Sequence, residues 1–223
     1  PADDLIVVGI AGPRSLAAIE RTLGQAPAAG ACVTQGDVTA LRLPGRVPRF
    51  IIVAPPNAMQ AAWREWRAVA TPVGVSIWDW LDIQAGMPIV LPQTVEAFVP
   101  QMANLDLVGG ISLTKGCYPG QEIVARMHYL GRLKQRMYRA HVAGANLPQP
   151  GDPIYAPLAR GQSVGTVVVA HASIDGGHEM LAVLQIAAVE TEPHALHWQS
   201  DDGPLLKILP LPYSLPDTSA HGG

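Results

Sequence analysis

Cysteine, phenylalanine and charge are all scarce in this chain. Two cysteines, Cys32 and Cys117, among 223 residues are too few for a disulfide framework, and their spacing makes no zinc site. If either matters, it matters as a thiol. Charged residues make up 15% of the chain against 48% apolar ones, which excludes a disordered tail and provides for a sizeable core. Long apolar runs are missing too: Pro55-Pro56, Pro88 and Pro92 interrupt every stretch that approaches the roughly 18 residues of a membrane span. No signal-peptide pattern opens the chain, so a cytoplasmic protein is expected. What is abundant is punctuation. Twenty-two glycines and 21 prolines break the chain into many short elements. Because Pro1 leads almost at once into the strand-like run from Leu5 to Ile10, the sequence reads as a fragment with residues upstream.

The formal net charge is −3, but it is unevenly spread. Between Leu107 and Gly151 the one acid is Glu122, set against Lys115, Arg126, Arg132, Lys134, Arg136 and Arg139. A basic stripe on an acidic body attracts anions, whether a carboxylate tail or an RNA phosphate. A solvated strand edge protected by its charges reads the same way. The overall pI of about 6.2 argues against a dedicated nucleic-acid binder.

Leu16, Ile19 and Leu23 form an apolar stripe behind Ser15 that stops at Gly24, which predicts a helix. Residues 38–43 and 49–53 read as strands. Asn57 is placed to cap a helix running through Trp63, Trp66 and Val69, which Pro72 closes. A third helix is expected from an N-cap at Ser76, with Asp79 completing a capping box, to Gly86. The helix over 119–131 is the most clearly marked, with Pro119 at its first position, Ile123, Met127 and Leu130 on one face, and Gly131 as its stop. Beyond residue 136 come only short β runs, at 137–142, 163–170, 180–187, 195–199 and 205–209. Turns at Asp175-Gly176-Gly177 and Asp201-Asp202-Gly203 predict antiparallel closure into a small barrel or sandwich. A domain boundary near residue 132 follows, and the small, polar tail after Pro216 reads as disordered.

The stretch GGISLTKGCYPGQEIVARMHYLG, from Gly109 to Gly131, gathers glycines, a thiol, a lysine, an amide and a lone acid around one helix start. Both Lys115 and the helix N-terminus are placed to draw Cys117 toward the thiolate; the other reading is a small hydrophobe packed under the glycine turn. Glu122 has Arg126 at i+4, which allows a plain surface ion pair. An acid isolated among bases also suits paired N–H donors, such as the amidine-like edge of a pterin. Gln121, Tyr118 and Tyr129 either line such a pocket or serve as ordinary interface or core. The seven histidines are scattered without supporting acids or cysteines, so no metal site is expected, and no nucleophile elbow marks a hydrolase.

The run KGCYPGQEIVAR, preceded by DIQAGMPIV, PQMANLD and GGIS and followed by the closing LPLPYSLP, resembles the YgfZ-type folate-binding proteins, relatives of the glycine cleavage T-protein. The match keeps its order along nearly the whole chain. It implies an α+β protein: an α/β folate-binding, T-protein-like domain over residues 1–131, a small antiparallel β-barrel domain over 132–217, and a short tail at 218–223. The ligand implied is tetrahydrofolate or a one-carbon derivative, bound by Lys115, Gly116, Tyr118, Gly120, Gln121, Glu122 and Arg126. Cys117 is the family's characteristic thiol and the candidate catalytic residue. In the related T-protein, the acid matching Glu122 touches the pterin; Pro119 stands where the family commonly has Thr or Val. The role implied is support of iron–sulfur cluster assembly or repair and of iron–sulfur-dependent tRNA modification. Expected partners are iron–sulfur proteins such as tRNA-thiolating enzymes, and tRNA itself. The family's opening segment, which supplies one domain and part of the folate pocket, has no counterpart here, so a companion N-terminal fragment is expected. The T-protein's catalytic aspartate falls in that segment, and its motif has Asp where this chain has Cys117. A folate-dependent aminomethyltransferase is therefore the second reading, and RNA docking on the 126–139 stripe the third.

Overall fold

The computed structural model describes residues 4–116, 118–129 and 131–216, except for the side chain of His128. The chain forms two compact units, one ending at Trp78 and the other starting at Asp79, so the boundary expected near residue 132 falls inside the second unit.

The first unit is built on β1 (Ile6–Ala11), α1 (Ser15–Leu23), β2 (Cys32–Gln35), β3 (Val38–Leu43), β4 (Arg49–Ala54) and α2 (Pro56–Trp66). Its sheet runs β1-β4-β3-β2, antiparallel at every pairing. Period-two alternation puts Phe50, Ile52 and Ala54 on one face of β4 together with Ile10 and Ala40. Onto that face α1 lays Ala18, Ile19 and Leu23, and α2 lays Met59, Ala62 and Trp66. Each large apolar side chain buried there stabilises the unit by roughly 1.5–3 kcal/mol. The Trp66 indole N–H also donates to Thr22 Oγ1 at 3.0 Å, tying the two helices together. As expected, Gly24 ends α1, in the left-handed region at φ +73°. Gly9 has a different cause: a Cβ there would stand 2.4 Å from the ring of Trp78.

Two expectations fail in this unit. Pro55, not Asn57, stands at the N-cap of α2; Pro56 takes the first position, where its missing N–H costs nothing. Residues 32–35, for which no strand was expected, form β2, a short and largely polar strand on which Cys32 lies exposed.

The second unit contains α4 (Gln121–Tyr129), β5 (Gln135–Val142), β6 (Pro153–Tyr155), β7 (Ser163–Ala172), β8 (His178–Gln185), α5 (Ile186–Thr191), β9 (His197–Trp198) and β10 (Leu206–Leu209). The helix before it, α3 (Val75–Gln84), runs across the division between the units. The six-stranded sheet follows the order β10-β5-β8-β7-β6-β9, again antiparallel. Backbone bonds from Trp198 N–H to Pro204 C=O and from Leu206 N–H to Leu196 C=O bring its two outer strands together. Ala140, Val142, Met180, Ala182 and Leu184 fill one side, while Met137, Val168, Leu181 and Val183 pack with Ile83 on the other. The turn between β7 and β8 uses Gly176 and Gly177 at φ +91° and +64°, the positive values read from the sequence.

Here, too, the structure corrects the reading. The capping box expected at Ser76 and Asp79 does not form, because Ser76 lies within α3 and the Asp79 carboxylate pairs with His171 at 3.3 Å. The strand expected through residue 187 stops at Gln185, and α5 follows; β6 was not anticipated. The tail at 218–223 lies outside the described residues.

Candidate functional site

Between α3 and α4 the chain is almost all turns, a long irregular stretch of the kind that tends to carry function. Its last part is the signature run. Tyr118-Pro119-Gly120-Gln121 forms a tight turn, with Gln121 N–H donating to Tyr118 C=O at 3.2 Å and Gly120 at φ +84°. A proline followed by a glycine of positive φ is the type II pattern. This corrects the expectation for Pro119: it sits in the turn, and the left-handed Gly120 delays the helix to Gln121. The expected apolar face is also displaced. Among the described residues of α4, Val124 is buried and Met127 half-buried, as expected for Met127, whereas Ile123 is 62% exposed; Leu130 lies outside the described residues.

Lys115, Gly116, Tyr118, Gly120, Glu122 and Arg126 are exposed, and Gln121 is half-buried. The Glu122 side chain is 86% exposed and faces Arg126 at 3.5 Å, the i, i+4 pair foreseen from the spacing. Cys117, the candidate thiol, lies outside the described residues. The signature is thus a surface feature, and its lone acid keeps acceptor capacity beyond its arginine partner.

Beneath it lies a buried polar network that charge counting did not find. Arg136 on β5 makes a two-pronged bond to Asp106, at 2.7 and 2.9 Å, and donates to Gln101 C=O at 2.8 Å. Gln101 in turn donates through Nε2 to Val124 C=O on α4, at 2.7 Å. Asn104, held in the left-handed region at φ +58°, donates to Met137 C=O at 2.8 Å and to the Tyr213 hydroxyl at 3.3 Å. The Tyr213 hydroxyl donates to Gly86 C=O at 2.8 Å. Gly86 is glycine for a close approach as well as for its φ of +63°, since a Cβ would meet the Tyr213 ring at 2.8 Å. Burial pushes the Tyr213 phenol above its ordinary pKa and Asp106 adds to the rise, while the Asn104 bond and the Arg136 charge oppose it.

A buried acid, Glu179 on β8, accepts from Trp80 Nε1, Gln84 Nε2, Arg139 Nε and Ser173 Oγ at 3.2, 2.6, 3.0 and 3.2 Å. These two networks take up two guanidiniums of the basic stripe: Arg136 and Arg139 pair with Asp106 and Glu179, while Arg126, Arg132 and Lys134 are exposed. No group of three or more metal-ligating side chains occurs among the described residues. Nor is any of their helices long and apolar enough to cross a membrane.

Three runs distant in sequence, DIQAGMPIV, PQMANLD and LPLPYSLP, therefore meet at Gly86, Asn104 and Tyr213. Their convergence had one prior signal: all three belonged to the resemblance, though nothing in their composition showed that they touch.

No family model matches the chain. It is 31% identical over 218 residues to a tRNA-modifying protein YgfZ of Klebsiella pneumoniae (strain 342), covering 96% of this chain and 65% of that protein. A tRNA-modifying protein YgfZ of Escherichia coli O45:K1 (strain S88) is 31% identical over 217 residues, with 96% and 66% covered. The chain thus spans just under two thirds of the length of these curated relatives. Among solved structures, the glycine cleavage system aminomethyltransferase T of Bartonella henselae has the same mixed α/β fold, with a TM-score of 0.64 at 15% identity, covering 92% of this chain and 59% of that one.

Proposed function

We propose that the chain belongs with the YgfZ-type proteins, to which it is 31% identical, that it binds tetrahydrofolate or a one-carbon derivative, and that it thereby supports iron–sulfur-dependent tRNA modification in the cytoplasm. The observation that carries this reading is the exposed Glu122 carboxylate at the start of α4, loosely paired with Arg126 at 3.5 Å. Such a carboxylate retains acceptors for the paired N–H donors of a pterin. Exposed Lys115 suits the anionic glutamate tail, and the donor chemistry of the segment as a whole fits the ligand. In this reading Gly116, Tyr118, Gly120, Gln121 and Arg126 complete the binding set, and Cys117 supplies the reactive thiol.

Two observations support the reading: the relatives are named as tRNA-modifying, and the fold is that of a T-protein. Iron–sulfur proteins such as tRNA-thiolating enzymes are the proposed partners. The division at residues 131 and 132, with 132–217 as a barrel domain, is retained as a proposal on the bonds that join β9 to the start of β10. The T-protein fold also favours a second reading, folate-dependent aminomethyl transfer. Formation of methylenetetrahydrofolate and ammonia from an aminomethyl carrier would establish that reading in place of the first.

The primary test is titration of the full-length protein with 5-formyltetrahydrofolate. A charged hydrogen-bond partner contributes about 1.5–3 kcal/mol, so Glu122→Ala is expected to weaken binding roughly ten- to a hundredfold. Equal affinity of the two proteins removes the pterin role from Glu122. For the thiol, full rescue of tRNA thiolation by Cys117→Ala in cells lacking the protein removes it from the mechanism.

A further inference from the structure

We infer that Gln101 is the positioning residue of the signature helix, the point through which the buried Arg136–Asp106 pair sets where α4 and its leading turn stand. The inference rests on the folate-binding reading above and deepens it. Both ends of Gln101 are engaged. Its backbone carbonyl accepts from Arg136 at 2.8 Å, and its side chain donates to Val124 C=O at 2.7 Å. Gln101 is 1% exposed and Val124 is also buried, so the contact is internal. Every described side chain proposed to touch the ligand from this segment is exposed or half-buried, and none of these is itself packed into the core. Exposed groups on a short helix stand where the helix stands. A nine-residue α-helix is marginal on its own, so the location of α4 depends on what grips it from below.

The grip has a fixed base. The two-pronged Arg136–Asp106 bond leaves the guanidinium little freedom, and β5, which carries Arg136, is paired along its length to β8. Asn104, one turn beyond Gln101, keeps a left-handed φ of +58° while its amide holds Met137 C=O and Tyr213. A non-glycine residue persists in that region when its surroundings determine it, and here they do. The segment 100–106 is therefore rigid where it meets α4.

One feature of Gln101 makes the test clean. Its Oε1 is buried and has no hydrogen-bond partner, so replacing the amide by a thioether of similar length removes one donated bond and strands no other donor. Gln101→Met should leave the apolar packing in place.

The experiment uses the full-length protein, with hydrogen–deuterium exchange of the peptide spanning residues 121–129 and 5-formyltetrahydrofolate affinity as paired readouts. Trp198→Phe is the control, because it removes a comparable buried bond, to Asp152 Oδ2 at 2.9 Å, within the six-stranded sheet. Gln101→Met is expected to raise exchange at 121–129 about tenfold, with β7 and β8 unchanged, and to weaken the folate by a similar factor. Trp198→Phe is expected to lower the melting temperature without changing either readout on α4. Unchanged exchange at 121–129 in Gln101→Met overturns the inference, as does a rise shared equally by β7 and β8. Absence of folate binding by the wild-type protein overturns the function proposed above, while the exchange result still decides the positioning role.

Discussion

The signature segment 115–126 and the runs 82–90, 100–106 and 209–216, which meet in a polar network, carry the same resemblance for opposite physical reasons. In the signature, the described side chains proposed to meet the ligand are exposed or half-buried, and Glu122 and Arg126 form a loose ion pair. In the other three runs, the amides of Gln101 and Asn104 are nearly sealed from water, and together with the buried Arg136 of β5 they bond at 2.7–3.3 Å to an aspartate, a tyrosine and backbone carbonyls. The first arrangement adds little to stability, because exposed pairs are screened and held in high dielectric. The second is costly to disturb, because a lost partner leaves a buried group unpaired. The comparison teaches that a recurring motif marks chemistry in one place and scaffold in another, and that burial tells them apart.

The sharpest way to break this comparison is to remove one member of the buried pair. Arg136→Met leaves Asp106 without its partner and is expected to cost about 3–5 kcal/mol by denaturant unfolding. Adding Asp106→Leu should recover most of that loss, because the stranded charge goes with it. A single variant that unfolds like the wild type would show that the network does not bear on stability. A smaller effect is expected from Tyr213→Phe, which removes the hydroxyl shared by Asn104 and Gly86 and should cost about 1–2 kcal/mol.

Smaller again is a pH effect at Tyr138 on β5, whose pKa is pushed up to about 12, chiefly by burial and then by Glu190, against the pull of Arg136. A phenol whose folded pKa exceeds the unfolded value of about 10 favours the native state below pH 10 and loses that contribution as pH rises toward 12. Because the side chain is only partly buried, the loss is discounted to about 1 kcal/mol for solvent screening. Tyr138→Phe should therefore lose less stability than the wild type between pH 10 and 12, and parallel curves would refute the assignment. At the bottom of the scale, Glu122→Ala should shift unfolding by less than about 0.5 kcal/mol while weakening the folate, separating ligand chemistry from scaffold.

Much of the architecture was legible because it rests on local periodicity. Leu16, Ile19 and Leu23 with Gly24 marked α1, alternation marked β3 and β4, and the Asp-Gly-Gly turn marked the β7–β8 hairpin. Short polar elements such as β2 escaped, having no apolar pattern to show. The face of α4 was misassigned because Ile123 and Val124 are adjacent and both apolar, and only packing chooses between them. In the candidate site, the Glu122–Arg126 pair follows from spacing alone. Arg136 and Arg139 were read as surface charge because their acids, Asp106 and Glu179, lie 30 and 40 residues away.

By itself the sequence determined most of the longer helices and strands, where glycine must turn the chain, and which run carries a thiol beside a solitary acid. These follow from neighbours within a few residues, where backbone sterics and periodicity act. Which charges face water, which amides are buried, and which three distant runs meet at Tyr213 were decided by the tertiary structure alone. Those outcomes depend on desolvation and on partners brought together from far along the chain, and neither is encoded in local order.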